Sequence, residues 1–406
     1  MKLSGKIALI FVLFFISSVI VMPCLAASMD IRIPIPSSTT GGTYVYIDNN
    51  LVATYVTDSS PPAIKVYYAD GSLYKSIPLS NETSDIESLQ ISDNRIYYTE
   101  YDKSIIWTSR TKTVYEYNMS TDKRRPIHTS VFFNNVQPNI QKIVADGDHV
   151  VLCEEYGGDD IILHTLSTGT DQTIFRSRSM IHGFAIDGDR IMWGCERTDR
   201  EPGREIHVYT ISTGEDYIIP ESKSIRTWGY GDISGDMIVW SKTAEEPDTS
   251  LGYPSITTVG SDIQMTDLTT GNTISLEILN TPSTPYISGN MVVFVKKPKV
   301  DYNNTNTGTI RVYDIETGEF GDDVGSDVAG MSDFDNGLVI WHRYSPRSEW
   351  LTSISGTIPT PTQTNTQNTT DAPQSTPAQE SPVDIAVITS ALIISVAGYA
   401  LLRNKQ

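Results

Sequence analysis

The sequence is short of positive charge, cysteine and histidine, and each shortage removes a class of protein. Its 30 Lys and Arg stand against 49 Asp and Glu, a formal net charge of -19. A phosphate backbone is bound by a basic face, so nucleic acid is excluded as a partner, and the surplus carboxylates read as a solvated acidic exterior. Three cysteines in 406 residues cannot staple a disulfide-built scaffold. Cys24 falls in an N-terminal apolar segment, which leaves Cys153 and Cys195 as a candidate disulfide. These two stand in neighbouring repeats on opposite strand faces, so a bridge requires distortion and two buried thiols are the alternative. The six histidines, His128, His149, His164, His182, His207 and His342, show no paired ligand spacing, and no metal or cofactor is implied. No Gly-x-Ser-x-Gly elbow is present.

Long apolar runs are confined to the two ends. Lys2 and Lys6 precede the run Ile7 to Met22, followed by small residues at Ala26, Ala27 and Ser28, the layout of a signal peptide over residues 1–27. Residues 356–383 are rich in Thr, Pro and Gln with almost no large apolar side chain, a composition that predicts a disordered stalk. Ile385 to Leu402 is apolar or small throughout and followed by Arg403 and Lys405, which predicts a transmembrane helix over 384–402 and a cytoplasmic tail over 403–406. Residues 28–355 are then an ectodomain at the cell surface.

Within that ectodomain one pattern recurs. "AIDGDRIMW" at Ala185, "DISGDMIVW" at Asp232, "YISGNMVVF" at Tyr286 and "DFDNGLVIW" at Asp333 are four of its copies. Aligned on the residue before the turn, the anchors are Asp48, Ser92, Asp146, Asp187, Ser234, Ser288 and Asp335, spaced by 41 to 54 residues. The positions four, five and six after each anchor are nearly all apolar. Side chains alternate along a strand, so three apolar neighbours in a row mean that both sheet faces are buried. A second strand with a Thr-Gly or Asp-Gly type turn follows the first six anchors, as in "IHVYTISTGE" at Ile206 and "IRVYDIETGE" at Ile310. Tight turns make antiparallel sheets, and such sheets are buried on both faces when stacked radially.

The predicted fold is therefore an all-β β-propeller of seven blades, each a four-stranded antiparallel sheet, with six blades as the lower count and a parallel β-helix as the architectural alternative. The seventh repeat is short of an outer strand. The segment Ser28 to Ser38 alternates Ile31, Ile33 and Ile35, and supplying it to the blade built from Met331 to Ser355 would close the ring.

The motifs "DISGDMIVW" followed by "IQMTDLTTGN", and "AIDGDRIMW" followed by "IHVYTISTGE", resemble TolB-type propeller repeats of archaeal cell-surface proteins, those of methanogens in particular. The resemblance spans roughly residues 43–343 and is carried by the repeat pattern. With the stalk and the apolar C-terminus, it implies a surface-layer-associated location and a scaffold, and no single activity.

Acidic stretches at Asp146 ("DGDH") and Asp187 ("DGDR") fall at hairpin turns, and "DYNNTNTG" at Asp301 lacks the distal Glu of a calcium loop. Sequons at Asn81, Asn118, Asn303 and Asn368 are glycosylation candidates. The first and third turns of each blade are tight, whereas second connections such as Ser241 to Asp262 are long, so elaboration gathers on one rim. Trp107, Arg226, Trp228 and Tyr230 on that rim are the ligand-binding candidates, with an envelope protein or glycan as the partner. An extracellular glycoside hydrolase or lyase with a loop-built carboxylate site is the alternative.

Overall fold

The computed structural model describes residues 30–32 and 44–354, apart from short segments at 58, 106–110, 131–138, 156–157, 179, 198–202, 225–230, 249–254, 280, 282, 298–306 and 345–346. The chain divides into units Met1–Pro361 and Thr362–Gln406, and every described residue belongs to the first. The signal-peptide, stalk and C-terminal apolar segments lie outside the described residues. Among the described residues no helix is long and apolar enough to cross a membrane.

Seven antiparallel sheets follow one another along the chain. Blade 1 is β2 (Val45–Asp48), β3 (Leu51–Val56), β4 (Ala63–Tyr68) and β5 (Leu73–Pro78); blade 2 is β6 (Ser84–Ser92), β7 (Arg95–Asp102), β8 (Lys112–Asn118) and β9 (Lys123–Ser130). Blade 3 is β10 (Asn139–Asp146), β11 (His149–Glu155), β12 (Asp159–Thr165) and β13 (Thr170–Arg176). Blade 4 is β14 (His182–Asp187), β15 (Arg190–Glu196), β16 (Arg204–Thr210) and β17 (Glu215–Ile218). Blade 5 is β18 (Gly231–Ser234), β19 (Met237–Asp248), β20 (Ser255–Asp267) and β21 (Asn272–Leu279). Blade 6 is β22 (Tyr286–Ser288), β23 (Met291–Lys296), β24 (Gly308–Asp314) and β25 (Glu319–Phe320), with β26 (Val324–Val328) also pairing to β24. Blade 7 is β27 (Gly330–Asp335), β28 (Leu338–Tyr344), β29 (Arg347–Ser353) and, from the other end of the chain, β1 (Asp30–Arg32).

The first strand of each blade is innermost, and each packs against the next around the ring until β27 meets β2. All seven anchors are the last residues of these innermost strands. The expected closure is present: Asp30, Ile31 and Arg32 pair with Thr352, Leu351 and Trp350.

The core consists of seven apolar layers, one between each pair of adjacent blades. Residues four and six after an anchor face the preceding blade, and the residue between them faces the following one. Ile191 and Trp193 thus meet Val151 of blade 3, while Met192 meets Ile238 and Trp240 of blade 5. The positions six after the anchors, Thr54, Tyr98, Leu152, Trp193, Trp240, Phe294 and Trp341, are all 0% exposed. Each large apolar member stabilises the stack by about 1.5–3 kcal/mol. Two of the tryptophans also satisfy their indole N–H: Trp240 Nε1 donates to Thr266 Oγ1 at 3.0 Å and Trp341 Nε1 to Thr352 Oγ1 at 2.7 Å.

Two features depart from the sequence reading, and a third is decided between its two alternatives, a bridge and two buried thiols. Ser241 to Asp262 is not a loop: β19 and β20 run on as one long hairpin to Asp248 and Ser255, with a bulge between Ala244 and Glu245. The outer edge of blade 6 is split between β25 and β26, where Gly321, Asp322 and Asp323 interrupt the strand. Cys153 and Cys195 are free, buried thiols. Opposite faces of neighbouring blades look at each other, so both cysteines enter the layer between blades 3 and 4, yet they are not bonded.

Candidate functional site

The innermost strands surround an axial channel, and their direction gives it two different mouths. They end at the tight-turn face, where six anchors and Asp93, which follows the anchor Ser92, form a ring of one hydrogen bond per blade. Asn49 N–H donates to Asp335, Asp93 N–H to Asp48, Gly147 N–H to Asp93 and Gly188 N–H to Asp146. Gly235 N–H then donates to Asp187, Gly289 N–H to Ser234 and Asn336 N–H to Ser288, which returns the circle to blade 7. Each acceptor stands at the first turn of one blade and each donor in the first turn of the next. Gly188, at φ 55°, shows why the donor position favours glycine: its left-handed backbone presents the N–H without a Cβ penalty. Burial and then the Asp335 charge push Asp48 up to about 6. The space enclosed here is ≈ 210 Å³. Asp146 and Asp187, in the stretches considered for calcium, are members of this ring.

Deeper in the channel two further aspartates stand two residues before their anchors. Asp232 accepts from Ile287 N–H at 3.0 Å and Ile233 N–H at 3.0 Å; Asp333 accepts from Ile47 N–H at 2.8 Å and Phe334 N–H at 3.0 Å. Desolvation outweighs these bonds and pushes Asp232 up to about 6 and Asp333, which also feels Asp232 and Asp335, up to about 8. The Tyr46 and Tyr286 hydroxyls are raised by burial and then by Asp333. Lys142 is lowered by burial, against the pull of Asp232 and Asp333, and its ammonium donates to Phe184 O at 2.8 Å.

The innermost strands begin at the face that carries the second connections. A cavity of ≈ 410 Å³ lies at this end, lined by Met180, Ile181, Phe184 and Tyr286 together with Lys142 and His182. Met180 is 54% exposed at its edge. Burial and then Arg204 hold His182 down at about 4, so it is neutral at ordinary pH. Gly231 is in the lining because nothing larger fits: a Cβ there would stand 2.4 Å from both Met192 Cε and Val239 O. The channel thus gathers two aspartates that desolvation pushes up, and a mixed apolar and polar well above them. The first pairing is suited to general acid–base work, and the second to holding a ligand.

The sequence candidates fall unevenly on this geometry. Trp107, Arg226, Trp228 and Tyr230 lie outside the described residues; the chain re-emerges from the last three at Gly231, in the lining of the well. Asn81 is exposed, with Oδ1 accepting from Thr83 N–H and Oγ1 at 2.9 and 2.7 Å. Asn118 Oδ1 accepts from Ser120 and Thr121 N–H, each at 3.0 Å. Asn303, Asn368 and the Asp301 loop lie outside the described residues. Lys142, Asp232, Asp333 and Tyr286 were not singled out from the sequence. A signal for the aspartates was present, since the alignment on anchors puts Asp at the second position before two of them, where Tyr46, Gln90, Val144, Ala185 and Tyr286 stand in the other blades.

No protein-family model and no curated protein matches the sequence. Solved structures do. An acylaminoacyl peptidase in complex with Z-Gly-Gly-Phe-chloromethyl ketone aligns with TM-score 0.53 and 14% identity over 77% of this chain and 51% of its own. The tricorn protease aligns with TM-score 0.51 and 16% identity over 80% of this chain and 36% of its own, so this chain spans about a third of that protein. An oligogalacturonate lyase in complex with manganese aligns with TM-score 0.50 and 10% identity, over 81% of this chain and 98% of its own. At such identities the likeness is one of fold: the chain is an all-β, seven-bladed propeller.

Proposed function

We propose that the protein is a surface-tethered, TolB-like binding propeller that engages an envelope protein or glycan through its long-connection face, with the axial well at the centre of that face. The observation that carries this reading is where the chain enters and leaves the ring. Asp30 pairs with Thr352, and Ile354 N–H donates to Gly337 O at 2.8 Å, so both ends meet blade 7 at the tight-turn face. The second connections start from the opposite face, where the larger of the two cavities lies. Rigid scaffolds present recognition on such connections. The apolar run at the C-terminus, the stalk composition and the signal-like N-terminus supply the tether and the route to the surface.

The test is retention of the protein on isolated envelope after Trp107→Ala, Trp228→Ala and Tyr230→Ala together, beside a control with Thr168→Ala and Thr213→Ala on the tight-turn rim. Loss of binding by about tenfold or more in the first alone is expected, since truncating aromatic anchors costs roughly 2 kcal/mol or more. Equal retention of both removes the long-connection face from consideration. A second reading, a propeller glycoside hydrolase or lyase, is favoured by Asp232 and Asp333, two carboxyls on the lining of the axial channel that desolvation pushes up. Cleavage of an acidic polysaccharide that disappears in Asp232→Asn would establish it over the binding reading.

A further inference from the structure

Blade 4 carries a polar cluster on the face turned to blade 3, built from residues that the binding reading does not use. Cys195 on β15 and Glu205 on β16 are direct cross-strand partners, and His207 follows two residues later on the same face. The thiol, a carboxylate oxygen and a ring nitrogen of these three lie within 4.8 Å of one another. All three residues are buried, at 0%, 1% and 1% exposure. His207 Nε2 is 3.2 Å from Glu205 Oε1. Its other nitrogen, Nδ1, is 2.8 Å from Asp216 Oδ2 on β17, whose residue opposite, Tyr209, shares the His207 face. Trp193 stacks flat on the imidazole at 5.2 Å, and Phe175 of blade 3 tilts against both rings, 5.0 Å from the imidazole and 5.1 Å from the indole, so the three rings pack as one cluster.

We propose that Cys195, Glu205 and His207 bind a divalent transition-metal ion of the zinc type as a buried site between blades 3 and 4. The donor set selects the ion class: a thiolate with an imidazole and a carboxylate suits zinc or cobalt, whereas calcium and magnesium take oxygen ligands. With the ion bound, an Nδ1–H donated to Asp216 would leave the Nε2 lone pair for the metal, the arrangement that orients ligating histidines. Donors around a tetrahedral ion stand roughly 3.5 Å apart, so small side-chain rotations close the set. A second oxygen of Glu205 or a water completes four-coordination. Binding forms a metal–sulfur bond and releases the thiol proton to solvent. Without an ion, burial holds the Cys195 thiol up at about 12, so it is an inert thiol. The sequence spacing conceals the site, since Cys195 and Glu205 meet only through the register of the hairpin.

The full chain, stripped with chelator and titrated with cobalt(II), reports directly on this site. One equivalent bound, with a thiolate-to-cobalt charge-transfer band and intense tetrahedral visible bands, is the expected result. The charge-transfer band should vanish in Cys195→Ser, persist in Cys153→Ser, which alters the other buried thiol, and require about 10- to 100-fold more metal in Asp216→Asn. Calcium should not compete, and zinc should displace cobalt. A wild-type chain that develops no charge-transfer band overturns the proposal whatever the variants do. So does a band that survives Cys195→Ser or is lost in Cys153→Ser.

Discussion

Asp333 shows how a single side chain can set the pH response of a large ring. An unfolded aspartate ionises near pH 4, whereas in the folded channel this one is pushed up to about 8 by desolvation. Between those values the folded state holds a proton that the unfolded chain has released. The stabilisation is therefore complete below about pH 4 and is lost as pH rises through about 8. Asp333→Asn removes this titration, so the fall in unfolding free energy from about pH 5 to about pH 9 should be smaller in the variant by about 4 kcal/mol. Parallel slopes in thermal or urea unfolding would show that the carboxyl is ionised throughout.

Among the elements, β1 is one of the shortest, at three residues, and its pairing has the longest reach in sequence. Its three residues pair with β29 across more than three hundred positions. Deleting residues 28–38 removes a few ladder bonds and exposes the edge of β29, a loss of about 1–4 kcal/mol by hydrogen bonding alone. An unchanged melting temperature would mean that blade 7 closes without it. This strand was legible because Ile31, Ile33 and Ile35 alternate and the seventh repeat was visibly short. The blade cores were legible for the related reason that burial on both faces writes an unbroken apolar triplet after each anchor. The β19–β20 extension was not, since Ser241 to Asp262 carries charges, Pro and Gly without apolar alternation, and its pairing follows from the hairpin rather than from side-chain burial. Asp232 and Asp333 were hidden for another reason. In sequence they read as two more carboxylates in an acidic chain, and only the convergence of seven strands brings both, half-buried, to the lining of one channel.

At the scale of the whole molecule, the ring of anchor hydrogen bonds makes each blade depend on the next in one rotational sense. Asp48 receives the Asp93 N–H across the junction of blades 1 and 2, and Asp187 the Gly235 N–H across that of blades 4 and 5. Each alanine substitution should cost about 1–2 kcal/mol. The two junctions share no partners, so Asp48→Ala with Asp187→Ala should equal the sum to within about 0.5 kcal/mol if the ring stays closed. A double-mutant loss well above the sum would identify the circle itself as the cooperative unit.

The position of β29 has a mechanical consequence. It lies between β28 and β1 rather than at the edge of its sheet, hydrogen-bonded on both sides. A force applied to the chain beyond Ser353 therefore runs along a strand clamped by two neighbours. It loads both ladders in shear at once, where a pull on an edge strand would open them one bond after another. The N-terminal strand thus acts as a brace on the strand that bears the tension, and a chain lacking residues 30–32 should yield at lower force even where its resting fold is intact.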